Sequence, residues 1–307
     1  KHLADAKQLD VLFTFASKTA EEQVRRNLLQ QIAYTEESLK LIIEAGEFPR
    51  LLQLATSEAE SSYRGSIIGT LLGSRSVIEH LGQAGKLDVV ADTLRSEVDP
   101  ALRSQIVANV INRSAGIEVF VASNKLDTLL TLVSQYTDDN ARGQLLARVL
   151  TNSKSIDQLK AEKKIEQLLS VGEGLNPSSA RAYWSQMFAY SQVIDLLLEH
   201  GHYDRLMKLA MAGEGQWLPQ LLSNNKAVKE LLKSGQLPVL VEFAKTTDND
   251  TRRRAYLTLF FGNEQLVEAL AEQKQLGDLI ELCRSEPDES VRNRNLATLL
   301  LSPLAID

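Results

Sequence analysis

The chain has 307 residues, of which 44% are hydrophobic and 24% charged, with 16 Gly, 7 Pro and a formal net charge of -6. This balance is ordinary for a soluble globular chain, favours helix over loop-rich folds, and argues against the large basic surface that nucleic acid or anionic lipid requires. One cysteine, Cys283, excludes an internal disulfide, no run of about 18 apolar residues is present to span a membrane, and Lys1 to Asp10 lacks the apolar stretch of a signal peptide, so a cytoplasmic setting is expected.

From the N-terminus the chain repeats itself. Leu9, Phe48, Leu87, Leu126 and Ile165 stand 39 residues apart, and after two small deletions the series continues as Tyr203, Leu237 and Leu276. Nine residues before these anchors run Leu39, Ile78, Ile117, Ile156, Ile194, Val228 and Val267; six before run Ile42, Leu81, Phe120, Leu159, Leu197, Leu231 and Leu270. A fixed period of this length is the signature of a repeat array. The array opens in mid-repeat, with Leu3 and Leu9 at the six-before and anchor positions. Lys1 to Lys7 therefore read as the tail of a helix whose beginning is absent, and a longer parent chain is expected.

Apolar spacing divides each repeat into three helices, as in Ser76 to Gln83, Leu87 to Arg95 and Pro100 to Ile111. Gly46, Gly85, Asn124, Gly201 and Gly235 close the first helix with residues that accept a left-handed cap, whereas Lys163 and Lys274 occupy that place and predict strain or a different cap. The second helix carries one apolar stripe, for example Leu126, Leu129 and Leu130. Turns rich in Asp, such as Thr137-Asp138-Asp139-Asn140 and Ser285-Glu286-Pro287-Asp288, then supply caps for the third and longest helix, whose paired apolar positions (Ile67, Ile68, Leu71, Leu72) make the main core. The repeats run 1–34, 36–73, 75–112, 114–151, 153–190, 192–223, 225–262 and 264–301, with Ser302 to Asp307 opening another.

The repeat 192–223 is irregular. Its anchor Tyr203 stands only 34 residues before Leu237, Ala210 to Gly215 replaces the acidic turn, and Pro219 follows. Proline is tolerated in a first helical turn, so the third helix here should begin near Gln216 and be about a turn shorter than its neighbours. Two parts, roughly 1–212 and 213–307, are expected to meet there at a changed angle.

The segments "AGEFPRLLQLATSEAESSYRGSIIGTLLGSRSVIEHLGQAG" from Ala45 and "SGQLPVLVEFAKTTDNDTRRRAYLTLFFGNEQLVEALAEQ" from Ser234 resemble armadillo repeats, and "EPDESVRNR" from Glu286 is similar to HEAT repeats. The resemblance covers the whole chain. It implies an all-α fold, a right-handed α-solenoid of about eight three-helix armadillo-like repeats with the ~39-residue period of such units. The ladder of Trp and Asn by which peptide-binding armadillo proteins hold an extended backbone is missing. Gln31, Thr70, Asn109, Arg148, Gln220 and Thr298 stand at the matching face and only Asn109 fits, so recognition of basic peptides is not implied.

Two rows of side chains stand out on the third helices. Arg25, Arg64, Arg103, Arg142 and Arg181 recur every 39 residues, and Arg253 and Arg292 resume the row, with Glu214 at the equivalent place in the irregular repeat. Each arginine points toward the core side and is expected to bond loop carbonyls or acids of a nearby turn, the alternative being a track for anions. On that reading truncating Arg103 destabilises the array. A polar row comprises Asn27, Gln31, Ser66, Thr70, Gln105, Asn109, Gln144, Arg148, Gln216 and Gln220. Uncharged amides suit hydrogen bonding to a partner's main chain, and in the armadillo-like arrangement this face lines the concave groove; an idle solvated surface is the alternative.

His80, His200 and His202 lack further ligands at metal spacing, Trp184 and Trp217 fall at core positions, and no phosphate loop or nucleophile elbow occurs. The expectation is a non-enzymatic scaffold, without cofactor or metal, that binds a protein or peptide along the groove. Its rival is a structural or coat-like module of a larger protein. A nucleic-acid-binding repeat would need a basic groove that the composition does not support.

Overall fold

The computed structural model describes residues 11, 13–16, 18, 21–97, 99–112, 116–247 and 249–301. The expectations for Leu3, Leu9, Lys1 to Lys7 and Ser302 to Asp307 lie outside them. Among the described residues the protein is helical with no strand. No helix there is long and apolar enough to cross a membrane. The chain forms two compact units, Lys1–Gln186 and Met187–Asp307.

In the N-terminal unit the helices are α1 (Glu22–Tyr34), α2 (Glu36–Glu44), α3 (Phe48–Thr56), α4 (Ser61–Gly73), α5 (Arg75–Gln83), α6 (Asp88–Ser96), α7 (Pro100–Asn112), α8 (Gly116–Ala122), α9 (Leu126–Ser134), α10 (Asp139–Leu150), α11 (Ser153–Ala161) and α12 (Gln167–Glu173). The division between the units falls within α13 (Pro177–Ala189). The C-terminal unit continues with α14 (Ser191–Glu199), α15 (Tyr203–Gly215), α16 (Leu218–Leu222), α17 (Asn225–Ser234), α18 (Leu237–Thr246), α19 (Asp250–Phe261), α20 (Glu264–Glu272), α21 (Leu276–Arg284) and α22 (Glu289–Leu301). Helices three places apart lie side by side, as α1 on α4, α4 on α7 and α5 on α8 in the first unit and α16 on α19 and α18 on α21 in the second.

The segment 75–112 shows why these elements form. Alternating triads and tetrads of apolar residues put Val77, Ile78 and Leu81 of α5 on one buried face, and Val90, Ala91 and Leu94 of α6 on another. The longer α7 buries Leu102, Ile106, Val107, Val110 and Ile111. Each such side chain contributes about 1.5–3 kcal/mol by leaving water. Gly85 ends α5 at φ 66°, and the N–H of Lys86 donates to the Leu81 carbonyl at 2.8 Å, the closing bond of a left-handed helix cap. Asp99 then accepts from the N–H of Ala101 at 2.9 Å and starts α7.

Lys163 and Lys274 adopt the same left-handed backbone, at φ 57° and 58°, and make the same closing bonds through Lys164 and Gln275. The cap geometry is thus kept and the strain is borne by a side-chain residue. The six-before row from Ile42 to Leu270 is buried throughout, as are the anchors Phe48, Leu87, Leu126, Ile165, Tyr203 and Leu237, while Leu276, Ile156 and Val267 are half-buried.

The irregular segment departs from expectation in detail. Ala210 to Gly215 is helical, so α15 runs to Gly215, and α16 begins at Leu218 with Pro219 in its first turn and only five residues in length. Met211 and Ala212 favour helix, and the left-handed backbone of Gly215 ends it before Pro219 opens the next. Gly215 takes φ +73°, and a side chain there would meet Phe243 and the Tyr256 hydroxyl, both 2.3 Å away. That hydroxyl donates to the Gly215 carbonyl at 3.0 Å.

Candidate functional site

The arginines at the start of the third helices tie successive segments together. Arg64 on α4 makes two parallel bonds to the buried Glu97, from Nε at 2.7 Å and Nη2 at 3.0 Å, while Nη1 donates to the Glu58 carbonyl at 2.8 Å. Its hydrogen bonds to Glu97 hold the guanidinium above its ordinary value against the opposing effect of burial. One segment earlier Arg25 pairs with the buried Glu58 through a single bond, from Nε to one carboxylate oxygen. Nη1 of Arg142 donates to the Tyr136 carbonyl at 2.8 Å, Nη2 of Arg253 to that of Thr247 at 3.1 Å and Nη1 of Arg292 to that of Glu286 at 3.0 Å. These are carbonyls six residues upstream, at the ends of the preceding helices.

Three positions break the row. Buried Glu286 takes its ion pair from Arg254, at 2.8 Å, instead of from Arg253. Arg181 is exposed. Arg103 keeps a buried Nε with no hydrogen-bond partner, and the place that Glu58 and Glu97 fill for its predecessors is occupied by Tyr136. The expectation that truncating Arg103 removes a stabilising bridge therefore loses its basis, because no carboxylate among the described residues faces it. Glu214 and Thr298 lie outside the described side chains.

The polar row does not stay open along its length. Asn27 and Gln31 on α1, Gln105 on α7, Gln144 and Arg148 on α10 and Gln220 on α16 are exposed. Ser66, Asn109 and Gln216 are half-buried, and Thr70 is buried at 4% exposure, which removes it from any surface a partner could touch. The cause is the closeness of α4 and α7: a side chain at Gly65 would stand 2.5 Å from Leu102, and one at Gly69 would stand 2.6 Å from the Asn109 amide. Arg148 Nη1 bonds the Asn112 side chain at 2.6 Å, joining α10 to α7.

In the C-terminal unit a cleft of about 330 Å³ opens between the short α16 and α19. Pro219 and Leu222 line one side, Ala255 and Leu259 the other. Ala255 and Leu259 stand two and six residues past Arg253, the positions of Ser66 and Thr70 past Arg64. The row is thus apolar there, a change readable in the sequence by extending the ladder through Arg253. A second cleft, of about 410 Å³, lies between α3 and α6.

Several side chains able to do chemistry are engaged in the fold. Burial pushes the Cys283 thiol up to about 12. His200 Nδ1 lies 2.8 Å from the Leu196 carbonyl. Trp184 packs edge-on to Tyr183 at 5.0 Å and Trp217 stacks on Phe188 at 5.9 Å. Among the described residues no group of three His, Cys, Asp or Glu side chains is placed to hold a metal ion.

No family model and no curated protein matches the chain. It is similar to the crystal structure of an engineered protein, with 16% identity and a TM-score of 0.46 over 94% of this chain and 77% of that one.

Proposed function

We propose that the chain is a right-handed α-solenoid of armadillo-like repeats that serves as a non-enzymatic scaffold, cofactor-free and cytoplasmic, and binds a protein or peptide along the polar face of its third helices. The observation that carries this reading is the exposure of uncharged amides, Asn27, Gln31, Gln105, Gln144 and Gln220, at equivalent places on the third helices. Exposed amides offer a donor and an acceptor together and match a main chain at little desolvation cost. The net charge of -6 favours a protein partner over nucleic acid.

The rival reading, a structural or coat-like module, draws on the tight approach of α4 and α7, which favours rigidity over an open groove at that point. A binding partner captured with the intact chain separates the two. Gln105→Ala with Gln144→Ala should weaken such a partner without lowering the melting temperature, since both side chains are exposed. Unchanged affinity moves the interface away from the amides.

A further inference from the structure

Lys86, Lys125 and Lys164 recur every 39 residues just beyond the first helices, and 37 residues before each stand Pro49, Asp88 and Asp127. Lys125 Nζ donates to both carboxylate oxygens of Asp88, at 3.1 and 2.9 Å. Lys164 Nζ pairs with its neighbour Glu162 at 2.6 Å and reaches Asp127 at 4.0 Å, and Asp127 also accepts from Gln167 at 3.3 Å. These contacts stitch α6 to α9 and α9 to α12 along the second helices. At the step from α3 to α6 proline takes the place of the acid, so exposed Lys86 is left without a carboxylate among the described residues.

The cleft of about 410 Å³ opens at this step. Phe48, Leu52 and Leu81 form a buried apolar floor, and Pro49 and Val89 stand on either wall. Its volume falls in the range of ligand pockets, about 300–1,000 Å³. Few polar groups at the mouth remain available. The Thr56 and Thr93 hydroxyls donate to carbonyls of their own helices at 2.9 and 2.7 Å, and Asp92 is paired with Arg95 at 2.7 Å. Lys86 therefore supplies a positive charge without an ion pair among the described residues, and the exposed Gln53 amide and half-buried His80 imidazole add further donors and acceptors.

We infer that this cleft is a second recognition site, and that it takes an acidic peptide segment with an apolar side chain on the floor and a neighbouring carboxylate on Lys86 Nζ. The peptide replaces the missing internal acid in charge and the missing side-chain packing in shape. The site lies on second helices and does not depend on the amide face.

The test is fluorescence polarisation of a pool of short labelled peptides in which Asp or Glu alternates with Leu or Phe, titrated with the intact chain. Saturable binding by an acidic member is expected, with affinity falling as salt is raised. Lys86→Gln should weaken it about two- to fivefold, the effect of one exposed ion pair. Pro49→Asp, which restores the acid found at Asp88, should weaken it to a similar degree by occupying Lys86 from within, with no loss of melting temperature. Lys125→Gln and the pair Gln105→Ala, Gln144→Ala should leave it unchanged, which keeps this site distinct from the amide face. The proposal is overturned if no member of the pool saturates, if peptides with Lys in place of the acids bind equally, or if both variants bind like the parent. A dimer in sedimentation that Lys86→Glu dissolves would also overturn it, assigning the cleft to a second copy of the chain.

Discussion

Replacing Glu97 by alanine isolates the bridge that joins α4 to the turn before α7. The carboxylate side chain is 4% exposed and its Arg64 partner 20%, so alanine leaves a largely desolvated guanidinium facing a gap. Two charge-assisted bonds from Arg64 are lost, and the N–H of Asp99, 3.1 Å from Glu97 Oε1, loses its acceptor. Removing one partner of a fully buried pair costs about 3–5 kcal/mol. Arg64 retains the Glu58 carbonyl and some access to water, which lowers the expected cost to about 2–3 kcal/mol. Urea unfolding followed by circular dichroism measures it, and the melting temperature should fall by about 3–5 °C. Arg64→Met combined with Glu97→Met should lie within about 1 kcal/mol of the parent, because no charge is then left buried alone. If Glu97→Ala costs less than about 0.5 kcal/mol, a value typical of exposed pairs, the buried-bridge argument fails.

Arg103→Met should change stability by less than about 1 kcal/mol, since its buried Nε has no partner to lose; a cost equal to that of Arg64→Met would refute this. Lys163→Gly should stabilise by about 0.5–1 kcal/mol in the same unfolding assay, because φ 57° strains a lysine more than glycine's extra unfolded-state freedom costs; destabilisation would contradict it. Glu36 accepts from the Ser76 N–H and the Ser74 hydroxyl, both at 2.9 Å. Burial pushes its carboxyl up, but the hydrogen bonds from Ser76 and Ser74 prevail and hold it below the ordinary glutamate value. The folded state therefore binds this proton less readily than the unfolded state, so its stabilisation is present at neutral pH and lost as pH falls below about 4.3. Glu36→Gln should lower stability at pH 7 and flatten the acid limb of the pH profile; an unchanged profile refutes the assignment.

Much of the fold was legible because helices are specified locally. The expected stretches Ser76 to Gln83, Leu87 to Arg95 and Pro100 to Ile111 lie within a residue of α5, α6 and α7, since apolar period, glycine cap and acidic turn each act within a few positions of the chain. The left-handed residues from Gly46 to Gly235, and the first-turn place of Pro219, follow from backbone sterics alone. The candidate site was less legible. Thr70 belongs to the polar row by spacing, but its burial depends on how near α7 approaches, and the absent side chains of Gly65 and Gly69 permit that approach without dictating it. The choice of Arg254 over Arg253 for Glu286, and the cleft that opens where Pro49 fails to meet Lys86, likewise concern pairs 32 and 37 residues apart. The sequence by itself determined the helices, their caps and their apolar faces, because those depend on neighbours within one or two turns. Which polar groups meet and which remain open was decided only by the tertiary structure, because the distance between two packed helices is set jointly by the side chains of both.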